Sequence, residues 1–441
     1  MTITSRTQLF LTKLTAVILI TASMAIPGGV QAQTLQALLA ATYETNPRIS
    51  AERERQTSSL ANADAVRGQR WPTLKVTGQE GRRHLDQRTA TETLTDRQVR
   101  LELTLDLWRS GQMKAGIEKA DAGVAQAEAQ LIQTSTEALK TVATSWFTLS
   151  SAQQVIALQR TDIRERQRFV EELKTRVERG LATITDLSAA ELAVIEQQTA
   201  LQQSEEQRSQ ALDTLEKWTG LRPEQATGSA RLPEIPDTLP AALNIAAQQS
   251  AQIATARGAV AQARAEAAQR EGAIGPQLSL NAHHGYEYDQ TIHENVLEER
   301  AVSREQSTGA MLELTVPLTD GGTGRARIRA ATHALAAARL HLRAIQEETA
   351  TAVRNSWSKR SASQNRIALL EQQLSAATAL QDSRKREFSQ GLIDIQPLLD
   401  ANQKRSSTEQ DLIHARTALQ QSEVQLLADI GMLTPERLGL K

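Results

Sequence analysis

The chain has 441 residues, a net charge of −1, no cysteine and 3% aromatic residues. Near-neutral charge gives no electrostatic reason to bind nucleic acid or an anionic membrane surface, and the lack of cysteine excludes disulfides, thiol catalysis and thiolate metal sites. An apolar fraction of 40%, dominated by Ala, Leu, Ile and Val, fits long helix-to-helix seams better than an aromatic globular core.

At the amino terminus, Arg6 and Lys13 precede an apolar run from Leu14 to Ile26, and Val30-Gln31-Ala32 offers a small-residue cleavage site. Residues 1–32 read as a cleaved secretory signal with no lipid-acceptor cysteine beside the cleavage site. No later segment is apolar over the ~18 residues a spanning helix needs. A membrane-embedded form would therefore have to be a closed β-barrel.

Beyond residue 32 the chain is written twice. The first repeat, 33–220, opens with an amphipathic helix over about 35–68, followed by a strand after Trp71-Pro72. A polar loop over about 84–96 leads to an alternating strand, and the β-hairpin spans about 71–108. A helix over about 112–178, a glycine turn near 180 and a return helix over about 185–219 complete the unit. Residues 221–239, with Pro223, Pro233 and Pro236, form a connector. The second repeat, 240–431, runs through a helix to 272, a hairpin over about 276–318 with its polar loop at 288–306, a helix over 323–389, a turn near 391 and a return helix; 432–441 is a tail. Trp146 and Trp357, Gly180 and Gly391, and Gly220 and Gly431 all stand 211 positions apart. Such agreement marks a tandem duplication. A helix of some 67 residues is about 100 Å long and must pair with neighbours as a coiled coil.

The stretch RQVRLELTLDLWRSG, 97–111, alternates Val99, Leu101, Leu103, Leu105 and Leu107 with polar residues. A period of two predicts a strand with one apolar and one polar face. At the same offset lie Leu312, Leu314, Val316 and Leu318. Strands of about ten residues suffice to cross an outer membrane when tilted. Four strands cannot close a barrel with a lumen, and open edges are not tolerated in lipid. Chains are therefore expected to share one barrel, three copies giving twelve strands. The apolar face then meets lipid, and Arg100, Glu102 and Asp106 meet the water-filled lumen.

The order helix, strand, strand, long helix, Gly turn, helix, twice over, with GLATITDL in the first turn and GLIDIQPLLDA in the second, resembles the TolC family of outer-membrane channel proteins. The resemblance covers nearly the whole chain after the signal. It implies a mainly α fold with a β membrane part: a homotrimer whose twelve-stranded β-barrel continues into a long periplasmic α-helical barrel. It implies a conduit, not an enzyme, in the outer membrane of a Gram-negative bacterium and extending into the periplasm. Its partners would be a periplasmic adaptor and an inner-membrane ABC or proton-driven transporter. The TolC-like first turn and the absent lipid-anchor cysteine tilt the cargo toward unfolded protein in type I secretion; small-molecule efflux is the alternative. A soluble periplasmic coiled-coil adaptor is the rival class, but it gives no reason for strand pairs repeated at this offset.

The resemblance also implies a tapered tip that closes like an iris. Asp186 matches an acid of the closing links, and Asp400 matches an acid ringing the constriction. The position of a second ring acid holds Pro397, that of a basic link residue holds Ile393, and that of an aromatic link residue holds Phe388. The gate then closes with fewer polar links or uses Asp394 and Arg386 instead. Arg179-Gly180-Leu181 and Gln390-Gly391-Leu392 would meet the adaptor, Gly turning the chain and Leu offering an apolar contact.

Other signals are set aside. His283 and His284 are adjacent on a strand and point to opposite faces, so they do not chelate one ion. Asp320-Gly321-Gly322-Thr323-Gly324 lacks the Lys-Ser/Thr of a phosphate loop and reads as a strand-to-helix joint. No nucleophile, base and orienter stand in recognisable spacing. No cofactor or metal is expected.

Overall fold

The computed structural model describes residues 34–87, 90–226, 232–293 and 299–440; the signal segment and the middle of the connector lie outside them. The first repeat folds into α1 (Leu35–Thr45), α2 (Pro47–Gly68), β1 (Thr73–Gln87), β2 (Ala90–Arg109), α3 (Gln112–Glu178) and α4 (Ile184–Thr219). The second folds into α5 (Leu239–Gln249), α6 (Ala251–Gly272), β3 (Gln277–His293), β4 (Glu299–Thr315), α7 (Thr323–Ser389) and α8 (Ile395–Asp429).

Each predicted opening helix is in fact two. Asn46 precedes a proline, which disfavours helical backbone, and its side chain accepts a hydrogen bond from the Arg48 amide at 2.9 Å, capping α2. Pro47 then occupies the first helical position, where no amide proton is needed. The second repeat breaks at the same point, at Ser250, without a proline.

The strands also differ from expectation. They run 15, 20, 17 and 17 residues, and the segments read as polar loops, 84–96 and 288–306, continue the ladder to Gln87↔Ala90 and His293↔Glu299. Backbone hydrogen bonding needs no apolar face, so the hairpins keep pairing where their side chains lose the alternation.

Packing unites the repeats at one level of the helices. Leu139, Val142 and Trp146 of α3 meet Leu35 and Leu38 of α1, Leu215 of α4, Val353 of α7 and Leu426 of α8. Gly431, just past α8, has φ +76°, and a Cβ there would lie 2.4 Å from the carbonyl oxygen of Gln249, so only glycine fits. The duplicated helices are used unequally: α3 buries 21 of its 67 residues, α7 only six of 67.

Candidate functional site

The four strands form one antiparallel sheet in the order β1-β2-β3-β4, leaving β1 and β4 as edges without partners in the chain. Register fixes which side chains share a face. Val76, Leu101 and His284 stand in one row, Leu74, Leu103 and Ala282 in the next, and Leu105, Leu280 and Leu312 below them. Val99 and Leu314 belong to this same face. The opposite face carries Lys75, Glu102 and His283 in one row and Thr77 and Arg100 in the next. His283 and His284 thus diverge, and His284 Nδ1 sits 2.7 Å from Thr308 Oγ1.

Three apolar residues fall differently from the sequence reading. The register shifts between Asp106 and Trp108, so Leu107 is the extra residue of a β-bulge and Trp108 takes the row opposite Leu278. Strict alternation placed Leu107 on the row; a bulge leaves no trace in a period-two count. Val316 and Leu318 lie past the end of β4, exposed but outside the ladder. From Val99 to Trp108 the band rises about 30 Å along the strand, or ~25 Å once tilted, the height of an outer-membrane apolar belt. Above Val99 the same face turns charged: Arg97 pairs with Glu80 at 2.8 Å, and Arg304 lies over the Tyr288 ring.

At the far end of the long helices the two hairpin turns share one geometry. The Gly180 amide donates to Val177 O at 2.9 Å and the Leu181 amide to Arg176 O at 2.8 Å; Gly391 donates to Phe388 O at 3.0 Å and Leu392 to Glu387 O at 2.9 Å. Gly180 and Gly391 have φ of +74° and +71°, the left-handed backbone that this helix-ending motif requires. Arg179, Leu181, Gln390 and Leu392 are all exposed at these turns. The tips differ three residues after these leucines: Ile184 is 75% exposed, whereas its counterpart Ile395 is 4% exposed in a cluster with Val170 and Leu173.

The helix starts differ as well. Thr183 and Asp186 form a reciprocal capping box: the Asp186 carboxylate accepts from the Thr183 amide at 2.9 Å, and Thr183 Oγ1 accepts from the Asp186 amide at 3.1 Å. Asp394 holds the equivalent cap position but makes no side-chain cap bond; the third helical residue is Pro397, which has no amide proton to give. Asp400 is exposed and accepts from Gln396 Nε2 at 2.9 Å. Within one chain, then, Asp186, Asp394 and Asp400 are not in contact with each other. Arg386 is exposed, and Phe388 packs edge-on against Phe169, with the Arg176 guanidinium over its ring.

Sequence reasoning missed a polar layer above this tip. Asp162 and Arg166 on α3 are 7% and 8% exposed, and both reach α8: Ser406 Oγ donates to Asp162 Oδ2, and Arg166 Nη2 donates to Gln403 Oε1 at 2.9 Å. Burial pulls the Arg166 guanidinium below its ordinary pKa, against the opposing attraction of Asp162 and Glu196. The only sequence signal was a four-residue spacing of opposite charges, which also describes a solvated helix face.

The fold is that of the TolC-like channels, which combine a β-barrel with an α-barrel. A crystal structure of CusC superposes with a TM-score of 0.79 at 16% identity, covering 90% of this chain and 92% of that one. The Campylobacter jejuni CmeC outer membrane channel superposes with a TM-score of 0.77 at 14% identity, covering 91% and 86%. Residues 38–221 and 242–432 match the outer membrane efflux proteins, and the chain belongs to that family. The outer membrane efflux protein BepC of Brucella suis biovar 1 (strain 1330) is 20% identical over 352 residues, 80% of this chain and 76% of that protein.

Proposed function

We propose that the chain is the outer-membrane exit duct of an export machine, and that three copies close one twelve-stranded barrel. The observation that carries this is the four-stranded sheet, apolar on one face and unpaired at both edges. Such edges are stable in lipid only when another strand pairs with them. The helices support the same assembly. Leu192 on α4 is 12 residues past Gly180 and Leu380 on α7 is 11 residues before Gly391, both exposed. At 1.5 Å per residue both stand about 17 Å from their tips, so α7 of one copy meets α4 of the next at matching height. With 36 residues against 67, α4 would cover the tip half of α7 and leave its start uncovered.

In this reading the apolar band meets lipid, the Arg100 and Glu102 face lines the lumen, and the helices extend into the periplasm. Gly180 and Gly391 form the tips that meet a periplasmic adaptor, with Leu181, Ile184 and Leu392 as apolar contacts. The cargo class follows from the transporter behind that adaptor; the family and the BepC likeness favour small-molecule efflux over protein secretion, and no catalytic step is assigned. Asp186 stiffens its own tip through the capping box. Asp400, exposed and unpaired with any cation, supplies the charge of the mouth. Three Asp400 carboxylates at a narrow constriction favour cations, and Asp400→Ala is expected to lower cation preference and cation block in single-channel recordings. Unchanged selectivity would remove Asp400 from the constriction.

Cell fractionation tests the duct itself. A heat-modifiable, detergent-requiring oligomer in the outer membrane is expected; recovery with the soluble periplasmic proteins would overturn the reading. A photoreactive residue at Leu181 or Leu392 then identifies the partner. Capture of an adaptor of a proton-driven pump assigns efflux, and capture of an ABC exporter's adaptor assigns protein secretion.

A further inference from the structure

We infer that the start of α7 is a binding surface for anionic phospholipid headgroups of the periplasmic leaflet, an inference that rests on the barrel orientation proposed above. Arg325, Arg327 and Arg329 lie within the first two turns of α7, about 10 Å of helix below the strand ends. All three are exposed, and none makes an ion pair or side-chain hydrogen bond among the described residues. Of the acids at this level Asp320, Asp106 and Glu266 are already engaged, while Glu271 in the last turn of α6 is exposed and makes no ion pair among the described residues. Asp320 accepts from the Gly322 amide at 2.9 Å and from the Gly324 amide, and the latter bond above all holds its carboxyl below the usual range. Asp106 pairs with Arg109 at 2.8 Å, and Glu266 with Lys119 at 2.5 Å and Arg270 at 2.7 Å.

The first repeat shows that this charge is not required by the helix. At the matching positions, 211 residues earlier, stand Lys114, Gly116 and Glu118, and Lys114 lies 3.8 Å from Glu118. One copy of the duplicated unit is internally neutral at this level; the other carries three guanidiniums against the one exposed carboxylate of Glu271.

The surface is continuous with the apolar band. The helix end of the sheet carries Trp71 and Trp108 on the β1–β2 side and Leu318, 93% exposed, on the β4 side, from which the chain runs into α7 and its arginines. Interfacial aromatics next to a cationic row are the pattern that meets a negatively charged headgroup layer. The seam of α7 with α6 runs through Gly324, Ile328 and Ala331, which are covered or half-covered. Arg325 and Arg329 flank that seam on one side and Arg327 on the other, so either flank that faces lipid presents a guanidinium. Each surface arginine in reach of an anionic leaflet is worth on the order of fivefold in lipid affinity.

The test is lipid retention by the full-length oligomer, purified from nanodiscs of equimolar phosphatidylglycerol and phosphatidylcholine and weighed by native mass spectrometry. Wild type is expected to retain phosphatidylglycerol preferentially. R325Q/R327Q/R329Q is expected to lose the preference, by fivefold or more, while remaining a heat-modifiable oligomer. Arg339→Gln, about 15 Å further down the same helix, is expected to leave it intact. Equal retention of the two lipids by wild type, or a preference untouched by the triple replacement, would overturn the inference while the duct reading stands. Release of the lipid by millimolar inorganic phosphate would make this a free-anion site and likewise overturn it. A chain that never inserts would sink both.

Discussion

Leu103→Arg is expected to prevent recovery of the chain as a membrane-inserted oligomer. Leu103 lies mid-band, between Leu74 on β1 and Ala282 on β3. An arginine facing lipid at mid-depth costs about 2–4 kcal/mol per chain, and a three-chain barrel repeats that cost at every copy. Glu102→Gln, one residue away on the opposite face, is the control and is expected to insert normally. Outer-membrane fractionation with gel heat-modifiability reads both. Equal behaviour of the two variants would mean that the sheet does not present this face to lipid.

Asp162→Ala is expected to lower the melting temperature far more than a surface substitution would. It removes the acceptor of Ser406 and one of the two carboxylates, the other being Glu196, whose attraction offsets the burial of Arg166. Losing a buried hydrogen-bond acceptor in this way costs on the order of 1–3 kcal/mol. Arg166→Met, which keeps most of the volume and discards the charge, is expected to be near neutral, and combining the two changes should recover much of the loss. Because both residues bond to α8, the single Asp162→Ala channel is also expected to open more often in planar bilayers, the two hairpins being less firmly held together. A melting curve equal to wild type would show that the layer is solvated in the assembled protein.

The parts of the fold legible in the sequence were those with a long period or a strict one. The 67-residue helices α3 and α7 begin and end where the duplicated pattern places them, and the alternation around Leu101 and Leu312 puts those residues on one side of the sheet, as the register does. Features decided by one or two residues were not legible. The bulge at Leu107 shifts a register without altering composition. The hairpins above the lipid keep their backbone ladder after the side chains have stopped alternating. The break at Asn46 was written in the Asn-Pro pair, but a periodicity scan passes over it. At the tips, the two glycine turns were evident as a repeated Gly-Leu, whereas their unequal helix starts depend on whether residue three of the next helix, Asp186 or Pro397, can take part in a cap. The burial of Asp162 and Arg166 depends on which face of α3 meets α8, and helix rotation cannot be read from a sequence rich in both charges and alanine.

The unequal burial of the twin helices bears on the life of the newly exported chain. If copies assemble as proposed, α7 of a chain that has not yet met another is a rod of 67 residues with only six of them fully buried. Fraying of such a rod is opposed by its seams with α6 and α8 on one side only, and an exposed, fraying helix is what proteases cleave. Orphan chains should therefore be cleared within α7 well before α3 is touched, so that the steady-state amount of this protein is set by how fast copies meet as much as by how fast they are made.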